Sequence, residues 1–343
     1  MLLNLQPLWK NLTAQRKDGI YAMISLNPAK SNQQIFADTL LSLAKADPQV
    51  LVVTSDSRGS GKLNAFGKTL PAQLVEVGIA EQNLVGVAAG LSAAGKKVFA
   101  VSPACFLSAR ALEQIKNDVA YSDHPVKLVG ISAGVSYGAL GSTHHSLHDL
   151  AVLQSIHNLD IVVPADNFET QQITIKAVEH PRPLYIRLGK KAMPDLPKPL
   201  EPVEIGKLNL LRSGADVLFF ATGETVAPAY SAAIYLSAQG ISAGVASLHS
   251  LNPLDAQAIL SLSAASRAVI TVEEHSIHGG AGSRIASLLV THRLFKPMRM
   301  VGIPYEYTVT GSQEDIFSYY GMTAEKLAAT ALDLLDNGKE PTR

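Results

Sequence analysis

Continuous apolar runs alternate along this chain with stretches whose apolar residues recur at helical spacing. The runs lie at residues 50–54, 97–101, 126–131, 161–163 and 184–187. Strands buried on both faces of a parallel sheet read this way. Helical spacing marks residues 34–43, 108–121 and 168–179. Residues 74–77 alternate like a strand, and residues 84–91 are small, apolar and free of Pro, which predicts a buried helix opening near Glu81. Alternation of strand and helix predicts an α/β domain with a mostly parallel sheet.

A second set of runs follows at residues 217–223, 244–248, 268–272 and 298–303, closed by a helical pattern over 324–335. Between the sets, Pro194, Pro197, Pro199 and Pro202 crowd into a stretch that reads as a semi-rigid linker. The expected organisation is therefore α/β throughout, as two consecutive α/β domains with mostly parallel sheets. A polar extension covers 1–30, the first domain 31–192, the linker 193–206, the second domain 207–336 and a tail 337–343.

Composition narrows the class. The chain has 343 residues, 47% hydrophobic and 17% charged, enough to bury sizeable cores. Its 29 basic and 29 acidic residues cancel, which gives no electrostatic footprint for nucleic acid or anionic membrane. One cysteine, Cys105, excludes an intrachain disulfide framework and fits a reducing compartment. Residues 1–10 lack a cationic segment followed by a long apolar one, and no run is long enough to span a bilayer. A cytoplasmic protein is expected.

In open parallel sheets the chemistry lies beyond the carboxyl ends of the strands. The polar residues there are Asp56, Glu81, Ser102, Ser132 and Arg187. Glu81 would fall at the first turn of its helix, where backbone N–H groups and the helix dipole favour an anion. It is either a helix-capping acid or an acid held ready for a ligand's basic nitrogen. Residues 138–149 run from a Gly-rich turn into His144, His145, His148 and Asp149. Those histidines could serve the start of a helix, or proton transfer and hydrogen bonding to a substrate. The spacing of His144 and His148 also suits a metal pair, but no Glu-rich or Cys-rich partner motif stands nearby. Phe106 fits either a core position or a stacking platform, and Cys105 has no base beside it in sequence to make it a nucleophile. Residues 273–282 read as a Gly-rich loop-to-helix turn, weak grounds for a phosphate site.

Taken in order, these segments resemble the carboxyl-terminal half of transketolase and its thiamine-diphosphate relatives, over roughly residues 32–335. Residues 78–83, Gly-Ile-Ala-Glu-Gln-Asn, are similar to the motif carrying that family's glutamate; 105–115 resemble its aromatic segment, and 141–144 its substrate-facing histidine loop. The resemblance implies that Glu81 hydrogen-bonds the aminopyrimidine of thiamine diphosphate, that Phe106 stacks on it, and that Asp56 lies near the cofactor. It implies that His144 contacts the donor sugar and that Ser60 and Arg187 meet a substrate phosphate. Glu81 and His144 would then be the catalytic pair.

Two departures matter. The chain has no Gly-Asp-Gly motif with a following Asn of the kind that holds Mg²⁺ and diphosphate in this family. The resemblance therefore implies one half of a split transketolase, with no metal ligands of its own. A separate amino-terminal, diphosphate-binding subunit would complete it, as two copies of each. Leu140 and Ser132 also stand where one-chain transketolases have an Asp and a His that read the substrate. A change of that kind can alter selectivity by powers of ten. The expected reaction is two-carbon ketol transfer from a ketose phosphate to an aldose, the donor being an ordinary sugar read differently or an unusual, branched one such as apulose 4-phosphate. The alternatives are the β subunit of a 2-oxo acid dehydrogenase and a non-catalytic α/β binding module.

Overall fold

The computed structural model describes residues 30–199 and 201–337. Most of the expected extension and tail lies outside them.

Two sheets organise the chain. The larger is seven-stranded, in the order β10-β5-β6-β4-β3-β1-β2. Its strands are β1 (Val50–Thr54), β2 (Leu74–Glu76), β3 (Lys97–Pro103), β4 (Lys127–Ile131), β5 (Asp160–Val162), β6 (Leu184–Arg187) and β10 (Ser250–Asn252). Strands β1 to β6 pair in parallel. The smaller sheet runs β12-β11-β8-β9-β7, from β7 (Asn209–Arg212), β8 (Val217–Ala221), β9 (Ala243–Ser247), β11 (Ala268–Ser276) and β12 (Met298–Ile303). Its one antiparallel pair is β7 with β9.

The helices that matter for the site are α1 (Asn32–Ala46), α2 (Asn64–Thr69), α3 (Glu81–Ala93), α4 (Ala104–Arg110), α5 (Asp149–Leu153) and α6 (Asn167–Glu179). In the second half they are α7 (Val226–Ser237), α8 (Ala256–Ala265), α9 (Ala281–Thr291), α10 (Gln313–Tyr319) and α11 (Ala324–Asn337). Their starts follow local chemistry. Ser31 accepts from Gln34 N at 3.3 Å to open α1, and Asp166 accepts from Glu169 N at 2.8 Å to open α6.

One face of the large sheet buries Phe36, Leu40, Phe66 and Phe99, and the other buries Leu84, Val85, Leu107 and Tyr185. Each such side chain contributes roughly 1.5–3 kcal/mol by leaving water. That second core continues without a break into Leu218, Phe220, Leu248 and Val269 of the second half.

Three findings differ from the expected pattern. The helix anticipated over 108–121 breaks: α4 ends at Arg110, and after a turn at Leu112–Gln114 the chain is π-helical over Ile115–Tyr121. Strands β7 and β10 carry no long apolar run and were not anticipated. Strand β10 lies after the linker yet pairs antiparallel with β5, so the second half contributes a strand to the first sheet. Among the described residues no helix is long and apolar enough to cross a membrane.

Candidate functional site

The loops leaving β1, β2, β3 and β4 emerge at one edge of the large sheet, where adjoining strands bring them together. Glu81 is placed by the connection at residues 77–80, between β2 and α3. Glu76, at the end of β2, accepts from Thr54 Oγ1 at 2.7 Å, Asp56 N at 2.7 Å and Gly78 N at 3.1 Å. Burial works against its charge, but these three donors outweigh burial and hold its carboxyl below the usual range. Gly78 turns the chain with φ +74°, open to glycine at no steric cost, and α3 begins three residues later.

Glu81 does not cap α3. The N-cap is Ala80, with no side-chain cap bond, and the Glu81 carboxylate turns instead toward α4. It is 4% exposed. Arg110 Nη1 donates to both its oxygens, at 3.0 and 3.1 Å. The Arg110 guanidinium also lies over the Phe106 ring, 4.3 Å from its centroid. Phe106 and Arg110 sit four residues apart on α4, the spacing that puts two side chains on one helix face. An open cleft of ≈ 680 Å³ lined by residues 79–83 and Arg110 adjoins the pair.

His144 meets the Phe106 ring edge-on, with centroids 5.3 Å apart, and meets Tyr137 in the same way at 5.5 Å. Its Nδ1 lies 3.0 Å from Thr143 Oγ1. The second half of the chain supports this loop from behind. His145 Nδ1 lies 2.6 Å and Ser142 Oγ 3.2 Å from Thr308 Oγ1, and a Cβ on Gly138 would stand 2.6 Å from Gly311 O. His148 belongs elsewhere: its Nε2 faces Ser108 Oγ at 3.3 Å, next to α5. His144 closes a 3-10 turn and His148 precedes α5, so the two do not share a helix as a metal pair at that spacing requires.

The structure thus brings Glu81, Phe106 and His144 into one group. Asp56 and Ser60 stand exposed on the neighbouring loop after β1, Asp56 with φ +54°. Arg187 does not stand with them. It is 4% exposed, beneath the histidine loop, with Nε donating to Asp149 Oδ2 at 2.8 Å and Nη2 donating to the Ser146 and Glu274 carbonyls at 3.0 Å each. Burial opposes the Asp149 charge, but Arg187 and its neighbours prevail and hold that carboxyl low. The Arg187 Nε and Nη2 are thus committed within the chain, and the side chain lies below the exposed rim. Lys190, three residues on, is exposed, with Nζ 5.3 Å from the Tyr137 centroid.

Ser132 is fully buried, with φ +52°. In the orientation that satisfies the Gln33 amide, its oxygen accepts from Ser132 N at 2.6 Å and Oγ at 3.0 Å, while its nitrogen donates to Ser60 O at 3.2 Å. Leu140 is 55% exposed on the loop that carries His144. Burial pushes the Cys105 thiol up to about 11, which keeps it a thiol at neutral pH. At the Gly-rich turn after β11, Glu273 accepts from Ala281 N at 2.7 Å and Gly282 N at 2.9 Å, so the chain's own carboxylate fills that helix start.

Sequence reasoning did not single out Arg110, Tyr137 or Lys190. The helical spacing of Phe106 and Arg110, with a buried acid in want of a cation, was the available signal for the first.

Comparison with known proteins identifies both halves of the chain. Residues 29–195 match the pyrimidine-binding domain of transketolase, and residues 206–327 match the transketolase C-terminal domain. The chain is 46% identical to one of the subunits of an apulose-4-phosphate transketolase from Phocaeicola vulgatus, over 88% of this chain and 96% of that protein. It is 35% identical to the like-named chain from Actinobacillus succinogenes, over 90% of this chain and all 100% of that one. A solved split gene transketolase, an inactive beta4 tetramer, superposes with a TM-score of 0.80 at 34% identity, covering 91% of this chain and 100% of that one. These relatives do not favour the 2-oxo acid dehydrogenase reading or that of a binding module. The chain belongs to the transketolase family, with the pyrimidine-binding domain followed by the C-terminal domain.

Proposed function

We propose that this chain is the pyrimidine-binding half of a two-subunit, thiamine-diphosphate-dependent transketolase. It transfers a two-carbon ketol unit from a ketose phosphate to an aldose, and the names of its relatives support apulose 4-phosphate as the donor. The observation that carries this reading is Glu81, a buried carboxylate at the mouth of a cleft with an aromatic ring beside it.

The side chains suit the pyrimidine half of the cofactor. A flat, nitrogen-bearing group already fits between Phe106 and Glu81, in the form of the Arg110 guanidinium. When bound, thiamine diphosphate supplies the carbon nucleophile and the electron sink for ketol transfer. Glu81 accepts a hydrogen bond from a ring nitrogen of the pyrimidine, Phe106 packs against the ring, and Asp56 borders the same edge of the sheet. His144, held edge-on by Phe106 and Tyr137, offers an imidazole nitrogen to the donor sugar. Ser60 and Lys190 lie on the exposed rim where a substrate phosphate would arrive, and Leu140 presents an apolar surface there. Mg²⁺ and the diphosphate are held by an amino-terminal partner subunit, two copies of each chain forming the assembly in the cytoplasm.

Co-expression with that partner, followed by a screen of ketose phosphates with thiamine diphosphate and Mg²⁺, tests the proposal. Glu81→Ala is expected to lower turnover at least ~100-fold while the complex still assembles. Near-full turnover in that variant would overturn the assignment.

A further inference from the structure

We infer that Arg110 is a latch displaced by the cofactor: its guanidinium pairs Glu81 and covers Phe106 until the aminopyrimidine takes both contacts. The inference rests on the reading of Glu81 and Phe106 as the pyrimidine site.

Three observations carry it. The first is that one side chain engages both residues at once. Arg110 Nη1 donates to Glu81 Oε1 and Oε2 at 3.0 and 3.1 Å, and its Cζ lies 4.3 Å from the Phe106 centroid. A guanidinium is a planar N–C–N system whose N–H groups suit a carboxylate and whose plane suits an aromatic face. An aminopyrimidine offers the same two features, a flat ring and a nitrogen that shares a proton with an acid. Both groups satisfy the same pair of partners, and they cannot lie on one ring face together.

The second observation concerns which partner can leave. The Arg110 side chain is 50% exposed, whereas that of Glu81 is 4% exposed. Arg110 is the last residue of α4, and the helix is already broken at Ala111, with φ −105° and ψ 20°. Its long side chain can rotate into solvent with no change of backbone. Glu81 is fixed in the first turn of α3, behind the loop that Glu76 clamps.

The third is the condition of Glu81 without a ligand. A buried carboxylate left unpaired is strongly unfavourable. Arg110 removes that penalty, so loading exchanges one nitrogen donor for another and never leaves the acid alone. The cofactor must therefore compete with an intramolecular ion pair, which lowers its apparent affinity.

Titration calorimetry of thiamine diphosphate, at fixed Mg²⁺, into the complex with the partner subunit tests the latch. Arg110→Ala is expected to tighten cofactor binding about three- to tenfold, because a partly exposed ion pair and one cation–π contact no longer compete. The same substitution should lower the melting temperature of the cofactor-free protein and enlarge its rise on adding cofactor. Arg110→Lys should lie between, since an ammonium keeps the charge without the flat plane. In a Glu81→Gln background the effect of Arg110→Ala should shrink. Unchanged or weaker binding in Arg110→Ala overturns the latch, weaker binding marking Arg110 as a residue that holds the bound cofactor. Failure of the wild-type complex to bind thiamine diphosphate at all would instead sink the functional reading beneath it.

Discussion

Arg187 and Lys190 stand three residues apart at the exit of β6, yet their environments assign them different work. Arg187 is enclosed by Asp149 and two carbonyls, so it holds the base of the histidine loop together. Arg187→Met would leave the fully buried Asp149 without its cation, a loss of about 3–5 kcal/mol. A large drop in melting temperature is expected before any specific effect on substrate. Lys190→Ala should do the opposite, leaving the melt unchanged and raising KM for a phosphorylated donor about three- to tenfold. A stable Arg187→Met protein whose sole defect is donor KM would return the phosphate role to Arg187. This pair also marks what single residues reveal in sequence. Glu81 was legible because an acid in an apolar segment needs a reason. The burial of Arg187 was not legible, because its partner, Asp149, lies 38 residues away and only the fold brings them together. The Arg110–Glu81 pair, 29 residues apart, was hidden for the same reason.

At the scale of elements, the histidine loop depends on a neighbour from the other half of the chain. Gly138 has φ +50°, and a Cβ there would meet the Gly311 carbonyl oxygen at 2.6 Å. Gly138→Ala therefore combines an unfavourable backbone region with a clash against main chain, at about 1–3 kcal/mol. It should also displace His144 and raise the donor KM, which a melt and a donor titration measure together. An unchanged melt would mean that the loop is not seated on the segment around Gly311. The elements differed in how readable they were. Strands β1 to β6 of the large sheet, β2 apart, announce themselves as largely apolar runs. Strand β10, Ser-Leu-Asn, is too short for any run and exists because β5 offers it an edge. The break in the helix expected over 108–121 was likewise invisible, because Ala111 is an excellent helix former. Its backbone turn answers to packing, not to local preference.

At the scale of the whole molecule, the two halves meet through buried acids as well as an apolar core. Gln313 Nε2 donates to Glu224 Oε2 at 2.6 Å and to Glu274 Oε1 at 2.8 Å, while Val135 N donates to Glu274 Oε1 at 2.8 Å. Burial pushes both carboxyls well above their usual range, and the proximity of Glu224 raises Glu274 further. In the folded chain these groups keep protons that the unfolded chain releases near 4.5. Their contribution to stability is therefore complete below that pH and is lost as pH rises through neutrality. His275 acts in the other direction: burial pushes it down to about 4, so its contribution disappears as pH falls from 6.5 toward that value. The two limbs overlap, and a bare stability profile would not separate them. Glu274→Gln does, because the amide is a neutral isostere of the protonated acid and leaves His275 in place. The wild-type melting temperature should fall further than that of Glu274→Gln between pH 6 and pH 9, with the two converging on the acid side. Parallel curves across that interval would mean that Glu274 is already ionised at neutral pH, and that Val135 N meets a carboxylate there instead of a neutral acid.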